Sequence, residues 1–313
     1  MSPTPGFTIA VCTRNRPTDL KRCVRSVTRV ARPAAAQFME LLVVDDGELQ
    51  PSLVTELRRL TEAWGGRFAY HRMLNRHGLL NARLAALAAA AGEVILFLDD
   101  DVEVGPEYLV RLVGRYVEWP DAAGIGGVDA LLRRRSFASR AFDSVFCMDS
   151  GHPGRLSPSG YNASISRWID ARAPFETEYL DGCNMSFRRR ALTELAAVDW
   201  LQGYSLGEDI YLSLVAGRTG PLWVDPALRV LHYVSKVSRA NAGVIAPTVI
   251  SMMYHVLRVR KARWWNYVAL QWTALGLTLN SLIRPAQRRR ALGFLRGLFV
   301  VERNLLRTRR EGA

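Results

Sequence analysis

Short runs of consecutive apolar residues recur along the first hundred positions, and polar residues follow each run. These runs have the length and the β-branched content of strands that are buried on both faces. The predicted strands are 7–12, 40–44, 68–73 and 93–98. The predicted helices between them are 17–31, 52–64 and 79–91, with Gly92 at the position of a helix-ending glycine. This alternation predicts an α/β fold with a mostly parallel sheet and helices on both faces.

The pattern is less regular after residue 100. The sequence Gly105-Pro106-Glu107 indicates the start of another helix, because proline is tolerated in the first turn. Residues 130–180 are predicted to be irregular. Two further helices are expected over 187–197 and 208–216, and an extended segment over 222–231 leads to His232.

Two acidic clusters follow predicted strands directly: Asp99-Asp100-Asp101 and Asp45-Asp46. In such sheets, ligands bind at the carboxyl ends of the strands. Three adjacent carboxylates repel one another, so a divalent cation together with a nucleotide diphosphate is a suitable counter-charge. The alternative for the triple is a solvated loop that caps the next helix. For Asp45-Asp46, contact with the base or ribose of a nucleotide competes with a simple role in turning the chain.

Two later features also have two interpretations. Glu208-Asp209 lies in the first turn of a predicted helix, where the acids either complement the helix dipole or supply a general base. His232 is either a structural histidine or a neutral imidazole ligand to Mg²⁺ or Mn²⁺.

Taken together and in this order, these segments resemble the family 2 glycosyltransferases of the GT-A fold over roughly residues 7–238. The matching segments are IAVCTRNRP, LLVVDDG, GLLNARLAALAAAAGEVILFLDDDVE, DGCNMSFRRRAL, GEDIYLSL and RVLHYVSK. The resemblance implies a D-x-D element at Asp99 and Asp101, with Asp100 between them, that holds a metal and the donor diphosphate. Asp101 is then the direct metal ligand, and His232 lies near the metal.

The resemblance also assigns the remaining site residues. It implies that Asp45 or Asp46 contacts the nucleotide, that Arg83 belongs to the donor site, and that Asp209 is the base with Glu208 beside it. The stretch 181–184 matches a loop on the acceptor side. The family's second-strand loop usually reads D-D-G-S-x-D, whereas this chain has DDGELQ, which affects the preference for the nucleotide base.

The implied reaction is a metal-assisted direct displacement with inversion. One base without an enzyme nucleophile fits a single displacement at the anomeric carbon. We therefore expect transfer of one hexosyl or deoxyhexosyl unit from a nucleotide-sugar, with Mg²⁺ or Mn²⁺ as cofactor. The acceptor is expected to be a saccharide, lipid-linked or part of the cell envelope.

The positive charge is concentrated at the end of the chain. The formal net charge is +13, and residues 236–313 hold 15 Lys/Arg against two glutamates, so residues 1–235 sum to zero. This split predicts a catalytic domain over 1–238 and a basic, apolar helical tail over 239–313. We expect the tail to bind an anionic membrane surface rather than nucleic acid.

Three apolar stretches form this tail, each followed by a basic cluster. The apolar stretches are 244–257, 264–283 and most of 291–301, and the basic clusters are RVRKAR, RPAQRRR and RTRR. The middle stretch, which is uncharged, has the length of a membrane-spanning helix, but a stripe of small and polar residues runs along it. Such a stripe either packs against another helix or faces water. Helices lying in the membrane interface are preferred; the alternatives are partial insertion and a helical cap on the catalytic domain.

The expected location is the cytoplasmic face of the plasma membrane. The N-terminal residues show no signal-peptide pattern. The four cysteines are scattered, which fits a reducing compartment.

Three other functions remain as alternatives. A nucleotidyltransferase would carry glycines after the first strand, a nucleic-acid-binding protein would spread its basic residues through the fold, and a processive synthase would carry a Q-x-x-R-W element.

Overall fold

The computed structural model describes residues 5–202, 206–235, 242–284 and 287–298. Its strands are β1 (Phe7–Thr13), β2 (Met39–Asp45), β3 (Arg67–Arg72), β4 (Val94–Asp99), β5 (Val102–Val104), β6 (Gly124–Asp129), β7 (Phe175–Thr177), β8 (Asn184–Arg188) and β9 (Leu222–His232). Its α-helices are α1 (Pro17–Arg29), α2 (Pro51–Ala63), α3 (Leu79–Ala89), α4 (Tyr108–Glu118), α5 (Phe137–Val145), α6 (Glu208–Ala216), α7 (Ala242–Val259) and α8 (Trp264–Ile283), and a further helix covers 288–298.

The chain divides into two units. One unit comprises Met1–Arg133 and Trp168–Ser238, and the other comprises Arg134–Arg167 and Arg239–Ala313. The sequence pattern placed 134–167 in the first domain, whereas in the structure this segment packs with the tail. Because residues 168–238 separate this segment from the tail in sequence, its apolar pattern alone does not indicate which unit it packs in.

Strands β3, β2, β1 and β4 are neighbours in that order and all run parallel. This half of the sheet confirms the predicted strand–helix alternation. Thr13 at the end of β1 pairs with Asp45, and Cys12 pairs with Asp99. The register therefore brings both acidic clusters to one edge of the sheet.

The other half of the sheet is mixed, so the expectation of a mostly parallel sheet holds only for the first half. β8 lies between β4 and β6 and is antiparallel to both. β9 runs parallel to β6 and antiparallel to β5 and β7. A helix over 187–197 was predicted wrongly: its first residues belong to β8, and a short 3₁₀ helix follows over Arg189–Leu192. The pairing of β8 with two neighbours outweighs the local helical preference of this segment.

Helices cover both faces of the sheet, as predicted. On one face, Ile9 and Val11 of β1 share a core with α1, α2 and α4. On the opposite face, alternate residues such as Phe97 are also buried, and the guanidinium of Arg83 in α3 lies 5.8 Å from the Phe97 ring. This second face carries α3, the helix that supplies Arg83.

Gly92 does not end a helix. α3 ends at Ala89, and the extended Ala90 is its C-cap. A Cβ at Gly92 would lie 2.5 Å from the backbone nitrogen of Thr8. Glycine is therefore required here because the chain passes directly against β1.

In the second unit, α8 covers the uncharged stretch predicted from the sequence, and its small and polar stripe is buried. Asn266 donates a 2.7 Å hydrogen bond to the carbonyl of Pro158, and Thr273 donates one to the carbonyl of Phe146. Gly276 lies directly against the Phe146 ring. The stripe is thus a packing face against the segment that follows α5. Helix α5 lies inside the stretch 130–180, which was expected to be irregular.

No helix among the described residues combines the length and the apolarity needed to cross a membrane. The last apolar stretch is described only as far as residue 298, and the RTRR cluster lies outside the described residues.

Candidate functional site

The three consecutive aspartates at the end of β4 point to three different sets of partners. Asp100 is buried and turned inward, where Thr13 donates a 2.7 Å hydrogen bond to its carboxylate and Arg16 donates one of 3.1 Å. Burial raises the pKa of Asp100 to about 6, although both donors oppose this shift. Asp100 therefore anchors the loop to β1 and leaves Asp99 and Asp101 to form the binding surface.

Asp101 has one carboxylate oxygen that is satisfied and one that is not. Its Oδ2 accepts a 2.7 Å hydrogen bond from the backbone N–H of Ser235. Its Oδ1 lies 3.1 Å from Nε2 of His232, but this buried oxygen receives no well-aligned hydrogen bond from the described residues. Burial alone would raise the pKa of Asp101, yet His232 and the Ser235 N–H lower it to about 2. Asp101 is thus a charged carboxylate with one open lone-pair position.

Asp99, Asp101 and His232 together offer a metal site. One ligand atom from each residue lies within 4.8 Å of the others. Burial would lower the pKa of His232, but the carboxylates of Asp101 and Asp99 raise it to about 9. Once His232 gives up its proton, as metal binding requires, two carboxylate oxygens and one imidazole nitrogen suit Mn²⁺ or Mg²⁺, and the unsatisfied Oδ1 of Asp101 is where a cation would be accepted. The residues therefore fit the expected metal.

Asp129, which the sequence reasoning did not identify, holds His232 in place. It lies at the end of β6, and its Oδ1 accepts the backbone N–H of His232 at 3.2 Å and that of Leu131 at 2.9 Å. The signal was available, because Asp129 ends a short apolar run as Asp45 and Asp99 do. The three glycines of this segment obscured the strand pattern.

Arg83 connects the D-x-D region to the Glu208-Asp209 pair. Its side chain is only 2% exposed. Nη1 donates to Glu208 at 2.9 Å, while Nη2 donates to Asp99 at 3.2 Å and to the carbonyl of Gly182 at 2.9 Å. One guanidinium thus contacts three segments: the end of β4, the 181–184 loop and the start of α6. The structure brings these predicted residues into one cluster.

Glu208 and Asp209 begin α6 beside this cluster. Burial raises the pKa of Glu208 to about 8 against the opposing charge of Arg83, and burial also raises the pKa of Asp209. Asp209 is half-buried, and one of its oxygens accepts the N–H of Ile210 at 2.8 Å. A Cβ at Gly182 would lie 3.3 Å from Cβ of Asp209, so the 181–184 loop packs directly on this pair.

The two aspartates after β2 separate into different roles. Asp45 is fully buried, and its carboxylate accepts hydrogen bonds from Gly47 N, Leu49 N and the Tyr70 hydroxyl at 2.8–2.9 Å. These contacts favour the chain-turning interpretation of Asp45 over contact with a nucleotide.

Asp46 instead faces residues of the loop before α3. It lies 2.6 Å from Nδ1 of His77 and accepts the N–H of Gly78 at 3.0 Å. Arg14 approaches the same carboxylate at 3.7 Å. Of the pair, Asp46 is therefore the better placed to contact a nucleotide, and His77 and Arg14 are neighbours of its carboxylate that the sequence reasoning did not identify.

Comparison with known proteins identifies the family of the chain. The family model described as "Glycosyl transferase family 2" matches residues 8–195. An inactive polypeptide N-acetylgalactosaminyltransferase-like protein 5 of Macaca fascicularis is 24% identical over 78% of this chain and 55% of its own length. An N-acetylglucosaminyltransferase of Bradyrhizobium diazoefficiens is 27% identical over 44% of this chain and 28% of its own length. The chain thus spans about half, or less, of these two curated relatives.

The fold also matches solved structures. The mannosyltransferase PcManGT of Pyrobaculum calidifontis, solved with GDP-Man and Mn²⁺, superposes with a TM-score of 0.55 at 16% identity. The match covers 93% of this chain and 79% of that one. At this identity the likeness shows a shared GT-A fold, as the sequence resemblance implied.

Proposed function

Because the chain belongs to glycosyl transferase family 2, we propose that it is an inverting glycosyltransferase that moves one hexosyl or deoxyhexosyl unit from a nucleotide-sugar to an acceptor hydroxyl. The observation that carries this proposal is the connection made by Arg83. Its guanidinium contacts Asp99 of the candidate metal cluster and Glu208 of the acidic pair. The metal cluster, which would bind the donor, and the Glu208-Asp209 pair, which contains the candidate base, are thereby held at a fixed distance, as a direct displacement requires.

The donor half of the site is built from carboxylates at the edge of the sheet. Asp99, Asp101 and His232 would hold Mg²⁺ or Mn²⁺, which would stabilise the negative charge that develops on the leaving diphosphate. Asp100 keeps this loop fixed through Thr13 and Arg16. Asp46 would contact the nucleotide from the neighbouring strand.

The acceptor half supplies the base. Asp209 takes the proton of the acceptor hydroxyl, and the hydroxyl oxygen forms a bond to the anomeric carbon. The bond from this carbon to the phosphate oxygen breaks, and its electron pair leaves with the nucleoside diphosphate. Because one displacement occurs and no enzyme nucleophile takes part, the configuration inverts. The raised pKa of Asp209 makes it a stronger base than an exposed aspartate.

Glu208 is better suited to positioning than to proton transfer, because its Oε1 is engaged by Arg83 at 2.9 Å. Asp209 has no ion pair with Arg83 among the described contacts. This difference supports Asp209 as the base and Glu208 as its neighbour, in the order that the sequence suggested.

We further propose that the protein acts at the cytoplasmic face of the plasma membrane on a lipid-linked or cell-envelope saccharide. α8 carries an exposed apolar face opposite its buried stripe. Its members are Trp264, Trp265, Val268, Leu275, Leu279, Leu282 and Ile283. Basic residues occur just before this helix, at 258–263, and just after it, at 284–290. An apolar face with tryptophans and flanking basic residues suits a helix that lies in an anionic interface.

A donor screen tests the proposed reaction. Purified protein would be incubated with individual UDP-, GDP- and deoxythymidine diphosphate-sugars, with Mn²⁺ or with EDTA, and thermal stabilisation and release of nucleoside diphosphate would be measured. At least one donor should stabilise the protein and be hydrolysed slowly in a metal-dependent way. Release of pyrophosphate from a nucleoside triphosphate would instead identify a nucleotidyltransferase.

A further inference from the structure

A basic cavity lies within the second unit, apart from the residues assigned to catalysis. It has a volume of about 440 Å³ and opens between the 150–158 segment and the turn that joins α7 to α8. The lining side chains that bear on its chemistry are His152, Arg155, Arg260, Lys261, Arg263 and Trp265. Four of these carry a full positive charge, and none of the described lining residues is acidic. This lining selects for an anion.

The walls of the cavity are fixed by hydrogen bonds that do not involve the basic groups. Buried Asn266 donates to the carbonyl of Pro158 at 2.7 Å and accepts the N–H of Arg263 at 3.1 Å, so it ties one wall to the other. The Ser150 hydroxyl lies 2.9 and 2.8 Å from the carbonyl oxygens of His152 and Arg155, to which it donates its one hydrogen in a shared hydrogen bond. The backbone that presents the cations is thus arranged before any ligand arrives, which lowers the entropic cost of binding.

The position of the cavity adds two further features. α8 begins at Trp264, so the partial positive charge of its N-terminus lies at the cavity wall. Trp265 both lines the cavity and belongs to the exposed apolar face of α8. An anionic group in the cavity would therefore be adjacent to an apolar surface.

We propose that this cavity binds a phosphate or diphosphate group. Arginine recognises phosphate oxygens through paired N–H groups, and lysine adds a point charge. The volume is in the range of small-molecule sites. Two sources can present this chemistry: the phosphate headgroup of a membrane lipid and a soluble phosphate ester. The inference rests on the proposed membrane association only for the lipid source.

The test compares two double variants of the full chain that remove the same charge. Arg260→Gln/Lys261→Gln alters the cavity, and Arg58→Gln/Arg59→Gln alters exposed residues of α2 in the other unit. Binding of inorganic pyrophosphate is measured by calorimetry in EDTA, which prevents metal-dependent binding at the catalytic site. Binding to vesicles is measured with phosphatidylcholine alone and with equal parts of phosphatidylcholine and phosphatidic acid.

The cavity variant should lose about tenfold or more in affinity for at least one probe, the effect of losing charge-assisted hydrogen bonds, and the control variant should lose clearly less. A cavity-specific loss with pyrophosphate identifies a soluble phosphate ester, and one confined to phosphatidic acid vesicles identifies a lipid headgroup. Equal losses in the two variants, or no binding of either probe to the wild type, would overturn the proposal.

Nucleotide-sugar binding with Mn²⁺ is measured in the same three proteins and should not change. If the wild type binds no nucleotide-sugar, the proposed glycosyl transfer fails while the outcome for the cavity still stands. The two proposals therefore fail separately.

Discussion

Nη1 of Arg83 donates a 2.9 Å hydrogen bond to Oε1 of Glu208, although 125 positions separate the two residues. Both side chains are buried, so neither has water as an alternative hydrogen-bond partner. Such a pair is strongly coupled, because either charge alone would be left without a partner in a poorly solvated site.

Removal of one partner should therefore be costly. Arg83→Met is expected to lower the free energy of unfolding by about 3 kcal/mol, since it leaves Glu208 buried without its cation. The double variant Arg83→Met/Glu208→Leu should lose clearly less than the sum of the two single variants. Denaturant unfolding of all four proteins measures this coupling, and strictly additive losses would show that the pair is not coupled.

Asp101→Asn should abolish metal-dependent binding of a nucleoside diphosphate. The amide keeps the shape of the side chain but removes the charge and the acceptor at the open Oδ1 position. Calorimetry with UDP or GDP in Mn²⁺ measures the affinity, which should fall at least about tenfold, the effect of losing one charged interaction. Glu107→Gln, at an exposed position in front of α4, is the matched control and should bind normally. Normal affinity in Asp101→Asn would remove Asp101 from the metal site.

The rate of transfer should depend on pH through the acidic pair at the start of α6. A base accepts a proton only in its ionised form, and burial raises the pKa of both Glu208 and Asp209. The rate of transfer should therefore increase as the pH rises and the pair loses its proton. The pH at which the rate is half-maximal should lie well above the ordinary carboxyl range. The pH profile of kcat/KM reports this midpoint.

Asp209→Asn provides the corresponding mutational test. Turnover should fall by about 10²-fold or more, the usual contribution of a general base, while nucleotide binding stays intact. Glu208→Gln, which keeps the size of the neighbouring side chain, should reduce turnover less. Near-normal turnover in Asp209→Asn would place the base elsewhere.

The packing role of the stripe on α8 can be tested with a pair of glycines. A Cβ at Gly276 would lie 2.3 Å from Cγ of Phe146, whereas a Cβ at Gly114 in α4 would meet nothing within 4 Å. Gly114→Ala should raise the free energy of unfolding by up to about 1 kcal/mol through helix propensity. Gly276→Ala should lower it despite the same propensity gain, because the Phe146 ring must move. Stabilisation by both substitutions would show that the stripe is not a packing face.

The opposite face of α8 should contribute to membrane binding without affecting stability. Trp264 and Ile283 are 78% and 75% exposed, so Trp264→Ser and Ile283→Ser should leave the melting temperature nearly unchanged. Together they should reduce flotation with anionic vesicles. Leu74→Ser, at a position 77% exposed in the other unit, makes a comparable apolar-to-polar change and should float like the wild type. Equal flotation of all variants would contradict the membrane proposal.

The candidate site could be predicted from sequence because strand ends meet at one edge of a parallel sheet. The two acidic clusters, Asp45-Asp46 and Asp99-Asp100-Asp101, were expected to lie together on this ground, and the register of β1 with β2 and β4 does bring them to the same side of the sheet. β8 could not be predicted, since its local sequence favours a helix and only pairing with β4 and β6 makes it a strand. Asp45 and Asp46 are equivalent in sequence, and only hydrogen bonds made after folding separate their roles.

The second unit is assembled from two stretches of chain that are synthesised at different times. Phe146 and the segment around it leave the ribosome before α7 and α8, with residues 168–241 translated in between. At roughly 5–20 residues per second, that interval is on the order of ten seconds. During this time the surface later covered by Gly276 and Thr273 has no partner and is available to chaperones or to other nascent chains. A ribosome stalled near residue 240 would leave this segment permanently without its partner helix.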